Sequence, residues 1–120
     1  MNSVQMVGNL ARDVELREFA GGLVRGRSLI ALSRYGKREG TDYVRIVLWN
    51  KQATNAAKYL RKGSRVAVFG HLNSEFYERK GGGAESSNVR LDTEVVVDRI
   101  EYLSPPPSAD DEARPRRGAR

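Results

Sequence analysis

Residues 41–51 read TDYVRIVLWNK. At the strand period of two, the stretch sorts into an apolar row of Val44, Ile46 and Leu48 and an opposite row of Tyr43, Arg45, Val47 and Trp49. The first row suits a core. The second sets two aromatic rings on either side of a guanidinium, on a face that need not be buried. Flat π-surfaces beside fixed positive charge are what unstacked nucleotides require, so this face is the candidate binding site.

Outward from this stretch, the charge distribution points the same way. The chain of 120 residues carries a formal net charge of +6, yet residues 25–80 alone hold 13 Lys and Arg against 4 Asp and Glu. That basic segment also contains Tyr35, Tyr43, Trp49 and Tyr77. A basic run by itself more often forms a merely solvated face; its coincidence with aromatics is the informative feature. With no cysteine, disulfides, thiolate metal sites and cysteine nucleophiles are excluded, and with a single histidine neither a histidine-based triad nor a zinc site is expected. No cofactor is implied. No run approaches the roughly 20 apolar residues of a membrane span, and no secretory signal is visible, which gives a cytoplasmic, nucleoid-associated expectation with no membrane partner.

Before the central strand, Asn2 to Leu10 reads as a strand in which Val4, Met6 and Leu10 alternate with polar residues; it resumes through Val14 and Leu16, and Gly21-Gly22 turns the chain. Leu23 to Tyr35 is a strand of imperfect alternation. A bulge at Gly26 would let Arg25 and Arg27 face solvent or phosphate while Leu29 points inward. Residues 35–40 form a basic, glycine-bounded loop, either a closing flap or a plain hairpin tip.

After Trp49 the period changes to that of a short helix, with Asn50 as N-cap, Ala53, Ala56, Ala57 and Leu60 on one face and Gly63 as stop. A long strand follows from Arg65, with Val66, Val68, Leu72 and Phe76 on one parity and Phe69, His71, Tyr77 and Arg79 on the other; Gly70 relieves crowding. His71 thus shares its parity with aromatics rather than carboxylates, and Glu75 and Glu78 are the acids expected near the aromatic face. Residues 80–87, KGGGAESS, read as a flexible connection to a last strand through Leu103, whose parity changes near Val96 as at a bulge. Three strands, a helix and two strands make an all-β chain with one short helix, in the order of the five-stranded Greek-key barrel called the OB-fold. The folded domain is residues 1–103, and residues 104–120 form a tail too poor in apolar residues to fold.

Several collinear segments then resemble the bacterial single-stranded-DNA-binding protein family: VGNLARDVELR (residues 7–17), the paired glycines 21 and 22, YVRIVLWNK (43–51), AAKYLRKGSRVAVFGHL (56–72) and TEVVVDRIEYL (93–103). The resemblance implies a homotetramer, less often a dimer of double-domain chains, that wraps single-stranded DNA without chemistry and with little sequence preference, in replication, recombination and repair. The family's base-stacking aromatics fall on Tyr43, Trp49, Tyr77 and Tyr35. Its phosphate contacts fall on Arg45 and Lys51, with Arg34, Lys37, Arg38, Lys62, Arg79 and Lys80 as nearby basic candidates.

The chain departs from the pattern at Val14, where proline is common, at Arg27, a usually apolar position, and in ending RPRRGAR. Relatives end in an acidic, aromatic-terminated tip that recruits replication and repair proteins, so that recruitment does not carry over by residues. Three other readings stay open at this stage: a primosomal replication protein of the same fold, a small nuclease, and a structural module whose rings, Trp49 included, are packed against the helix or a subunit.

Overall fold

The computed structural model describes residues 1–34, 36, 39–79 and 88–104, leaving out the side chains of Arg79 and Asn88. The expected connection over 80–87 and the tail beyond 104 lie outside the described residues. Strands β1 (Val4–Leu10), β2 (Glu15–Phe19), β3 (Leu23–Ser33) and β4 (Thr41–Trp49) lead into helix α1 (Asn50–Tyr59), followed by β5 (Arg65–Arg79) and β6 (Asn88–Tyr102). They hydrogen-bond in the order β1-β5-β6-β4-β3-β2, and β1 also pairs with β3, which closes the sheet on itself. β3 explains why six strands serve a five-stranded plan. Leu10 and Asn9 of β1 lie opposite Ile30 and Ala31, while β2 runs along the same edge from Glu15 opposite Arg27 to Phe19 opposite Leu23. β1 and β2 are therefore one bent strand, and the barrel has the OB-fold arrangement.

Alternation dictates the core. Met6 and Leu10 of β1, Ile30 of β3, Ile46 and Leu48 of β4, Val66 and Val68 of β5, and Val95 and Val97 of β6 are all buried, and Ala53, Ala56 and Leu60 bring the helix onto them. Each large aliphatic side chain removed from water contributes about 1.5–3 kcal/mol. β4 and β6 run parallel, with Ile46 opposite Val95 and Val47 opposite Val96; the other pairings are antiparallel.

Two local expectations need correction. β3 has no bulge at Gly26: its register against β4 is unbroken from Arg25 opposite Trp49 to Ser33 opposite Thr41. Gly26, Ser28 and Ile30 point inward, so Leu29 stays with Arg25 and Arg27 on the outer face. The glycine eases close packing against the helix and Val14, since a Cβ there would lie 3.0 Å from Ala53 Cβ and 3.0 Å from Val14 Cγ1. Asn50 is not an N-cap. It sits at φ 55°, a region asparagine tolerates, and its Oδ1 accepts the Val24 N–H at 3.2 Å, which ties the start of α1 to β3 instead.

The parity change in β6 is real. Phe69 lies opposite Arg99 but Gly70 opposite Val97, so Asp98 is the extra residue of a bulge. Gly70 does relieve crowding there: a Cβ would come within 2.1 Å of the Val96 carbonyl oxygen. The β1–β5 ladder ends at Val4 opposite Gly70, and the Asn2 side-chain amide completes it by bonding both backbone groups of Leu72 at 2.8 Å. Beyond this point β5 and β6 pair only with each other and leave the barrel as a two-stranded arm.

Candidate nucleic-acid interface

The outer row of β4 is as the alternation requires, except at one residue. Tyr43 is 62% exposed, Trp49 is 36% exposed and Arg45 is exposed, but Val47 is fully buried. Its neighbours across the two ladders are Arg27 on β3 and Val96 on β6. An ion pair of 3.8 Å joins Arg27 to Glu94 across β4. Arg27 thus faces outward and spans the strand by its long side chain. The site is a shallow surface with a covered floor at Val47, flanked by Tyr43 and Arg45 on one side and Trp49 on the other.

Two hollows flank the row. Tyr43 and Lys62 line one of about 380 Å³, with Ala31 and Gly63. The turn that carries Lys62 is fixed by its backbone N–H, which donates to Asp13 Oδ1 at 2.7 Å. The other, of about 390 Å³, is lined by Arg45 and Arg27, with Arg12, Glu15 and Leu29. The Arg45 guanidinium makes no hydrogen bond or ion pair with a described residue. Arg34 differs: its Nε donates to Asp42 Oδ1 at 3.0 Å and its Nη2 to the Thr41 carbonyl at 3.3 Å, which ties its charge to the root of the β3–β4 hairpin. Lys51 is exposed in the first turn of α1, two residues past Trp49.

Tyr77, 47% exposed, stands on the arm. It lies opposite Arg90, on the same sheet face as Val96 and hence as the outer row of β4. Arg90 Cζ is 5.4 Å from the ring centroid, and Arg90 Nη2 donates to Asp92 Oδ2 at 2.8 Å. That hydrogen bond is the first cause holding the Asp92 carboxyl below its ordinary range, with the charges of Arg90, Arg45 and Arg27 adding to it. The structure therefore brings Tyr43, Arg45, Trp49 and Tyr77 onto one face, with Lys62 at its margin. Arg79 ends β5; its side chain, like Tyr35, Lys37, Arg38 and Lys80, lies outside the described set.

Sequence reading missed several residues here. Asp92 and Glu94 join Glu75 on the aromatic face, whereas Glu78, opposite Val89, is on the other face of the arm. Only the β5–β6 register reveals Asp92 and Glu94, whereas the alternation of β5 alone already separates Glu78 from Tyr77. The bulge at Asp98 also gives His71 a carboxylate, Nδ1 to Oδ2 at 3.0 Å, against the expectation from parity. Phe19 was missed too: Arg17 Cζ and Arg25 Cζ lie 5.0 and 5.1 Å from its ring centroid. Its signal was the alternation of Arg17 and Phe19 on a strand facing Arg25. Among the described residues no group of three His, Cys, Asp or Glu side chains could hold a metal ion, and no helix is long and apolar enough to cross a membrane.

A closed OB-fold barrel with exposed rings and arginines on its outer sheet belongs to the class of folds that bind oligonucleotides on that sheet. The chain matches the model of the Single-strand binding protein family over residues 1–103, and it belongs to that family. It is 36% identical over 110 residues to a single-stranded DNA-binding protein of Bacillus cereus, covering 88% of this chain and 61% of the relative. A Staphylococcus aureus protein of the same name is 39% identical over 115 residues, covering 92% and 70%. Single-stranded DNA-binding protein B of Bacillus subtilis is 36% identical over 110 residues, covering 88% and 93%. The chain spans about three-fifths of the length of the Bacillus cereus and Bacillus anthracis relatives.

Proposed function

We propose that this chain binds and protects single-stranded DNA, without catalysing a reaction and with little preference for sequence, during replication, recombination and repair. The observation that carries this reading is the β4 row: Tyr43 and Trp49 exposed on either side of an Arg45 that has no partner among the described residues. Bases stack on Tyr43, Trp49 and Tyr77, each stack worth on the order of 1–3 kcal/mol and open to any base because every base has a π-face. Arg45, Lys51 and Lys62 meet phosphates, and each neutralised phosphate releases counterions. Arg34, Lys37, Arg38, Arg79 and Lys80 are further basic candidates for the backbone, and Tyr35 for a base. A duplex hides its π-faces, hence the selectivity for single strands.

The binding unit is residues 1–103, with 104–120 as a tail, and it works in the cytoplasm on the nucleoid. It assembles as a homotetramer. What supports assembly is apolar surface left open on the single chain: Val7 on the outward side of β1, and Leu72, Phe76, Val89 and Leu91 on one face of the arm, each between 46% and 63% exposed. Trp49 is the only tryptophan in the sequence, so its fluorescence reports the site directly. Oligo-dT is expected to quench it far more than duplex at equal phosphate concentration, and equal quenching by both overturns the reading.

A further inference from the structure

We propose that Arg17 and Arg25, laid against the ring of Phe19, form a phosphate-binding station at the edge of the barrel that takes the phosphodiester next to the nucleotide stacked on Trp49. This rests on the reading of β4's outer face as the strand-binding surface and extends it across two further strands.

The placement follows from register. Arg25 of β3 stands opposite Trp49 of β4, and Arg17 of β2 stands opposite Arg25. The three lie side by side across neighbouring strands, so the station begins where the β4 row ends and continues for about 10 Å, two strand spacings. β2 is the edge of the sheet beside β3, which leaves the path open to a strand that continues past Trp49.

The chemistry is that of a backbone contact rather than a base contact. Phe19 is half-buried and already has both guanidinium carbons about 5 Å from its centroid, so its ring serves as a pedestal and has no room for a base. A guanidinium held over a ring loses side-chain freedom yet keeps its in-plane N–H donors, the geometry suited to phosphate oxygens. Neither guanidinium forms an ion pair or hydrogen bond with a described residue, while Arg12, Arg27, Arg34, Arg90 and Arg99 each have a carboxylate partner. Arg25 Nε is buried and has no hydrogen-bond partner among the described residues.

Like charges directly opposite each other on adjacent strands are unfavourable, and Arg27 adds a third to the group. Desolvation, then Arg27 and Arg17, all act against the charged form of Arg25, while Glu94 acts weakly the other way. The missing counter-charge is what a phosphodiester supplies.

The test compares wild type with the Arg17→Gln/Arg25→Gln and Arg17→Lys/Arg25→Lys double variants of the full chain, checking fold by circular dichroism and titrating labelled long oligo-dT across salt. Trp49 quenching by wild type establishes the β4 face independently. The glutamine variant is expected to lower the slope of log affinity against log salt by at least about 0.7, the share of one phosphate, while the lysine variant keeps the wild-type slope. An unchanged slope in the glutamine variant, with wild-type quenching intact, overturns the station and leaves the β4 face standing. Equal loss in both variants overturns it as well, because charge is then not the cause. Absence of oligo-dT binding by wild type removes the β4 reading and the station together.

Discussion

Arg25 and Trp49 face each other directly across the β3–β4 ladder. The ring that closes the central strand is therefore bordered by a guanidinium lacking a carboxylate partner among the described residues, and the aromatic row of β4 does not end at the rim of the barrel. A base on Trp49 would have cationic surface on the side toward β3. This couples the two sources of affinity at one place, since stacking positions the nucleotide and the neighbouring charge meets its backbone.

The two sources separate by mutation. Trp49→Ala is expected to weaken binding of labelled oligo-dT by about 1–3 kcal/mol at every salt concentration and leave the salt slope unchanged, because a neutral ring releases no counterions. Anisotropy titrations at several NaCl concentrations give both numbers. A loss confined to low salt would mean that the ring acts by placing charges and not by stacking.

Arg45→Gln is expected to do the reverse. Arg45 is exposed between Tyr43 and the buried Val47, and its charge is committed to no described partner. Removing it is expected to flatten the slope by about 0.7, the value for one phosphate on a single strand, and to leave Trp49 quenching at saturation intact. A slope equal to wild type would take Arg45 out of the phosphate contacts.

What was legible in the sequence was whatever depends on alternation within one strand. Tyr43, Arg45 and Trp49 fall on an exposed row because period two places them there, and the parity change in β6 announced its bulge. What depends on partners distant in sequence was not legible. Val47 is buried where Arg27 of β3 and Val96 of β6 flank it and Arg27 pairs with Glu94 across β4, and nothing in residues 41–51 encodes that. Gly26, between two arginines, looks like a bulge; its actual reason is the approach of Ala53, known only once the helix is docked. Asn50 has the composition of a cap, but its backbone turns left-handed and spends the side chain on Val24. Phe19 gained its two guanidiniums from strand register, as did Tyr77 its Arg90.

The same register makes Gly70 a sensitive position. A methyl group there would lie 2.1 Å from the Val96 carbonyl oxygen, a backbone atom that cannot rotate aside, at the point where β6 takes up its extra residue. Gly70→Ala is expected to destabilise the fold by about 1–3 kcal/mol, the usual range for overpacking, measured as a lower denaturant midpoint. Gly21→Ala makes a contrast of different origin, with open space around the methyl group but a strained φ of 86°. If Gly70→Ala unfolds at the wild-type midpoint, the close approach at the bulge is wrong.

Asp92 is the acid whose removal should help binding. It lies on the face of Tyr77, holds Arg90 by hydrogen bond and is within the electrostatic reach of Arg45 and Arg27. Its carboxyl is held below the ordinary range, first by the Arg90 hydrogen bond, so the folded form binds a proton less readily than the unfolded form. The stability this gives is present above the ordinary carboxylate range and is lost as pH falls through the depressed value. Between pH 5 and 8 Asp92 is therefore ionised, and it contributes no pH dependence to binding there. A permanently ionised acid beside the strand repels phosphate and occupies a guanidinium. Asp92→Asn frees Arg90 and removes the repulsion together, so it is expected to tighten oligo-dT binding severalfold at low salt and to steepen the salt slope by about 0.7 as Arg90 takes up one phosphate. Tighter binding with an unchanged slope would assign the gain to lost repulsion alone; weaker binding would show that the Arg90–Asp92 pair instead holds Tyr77 in the position where it stacks.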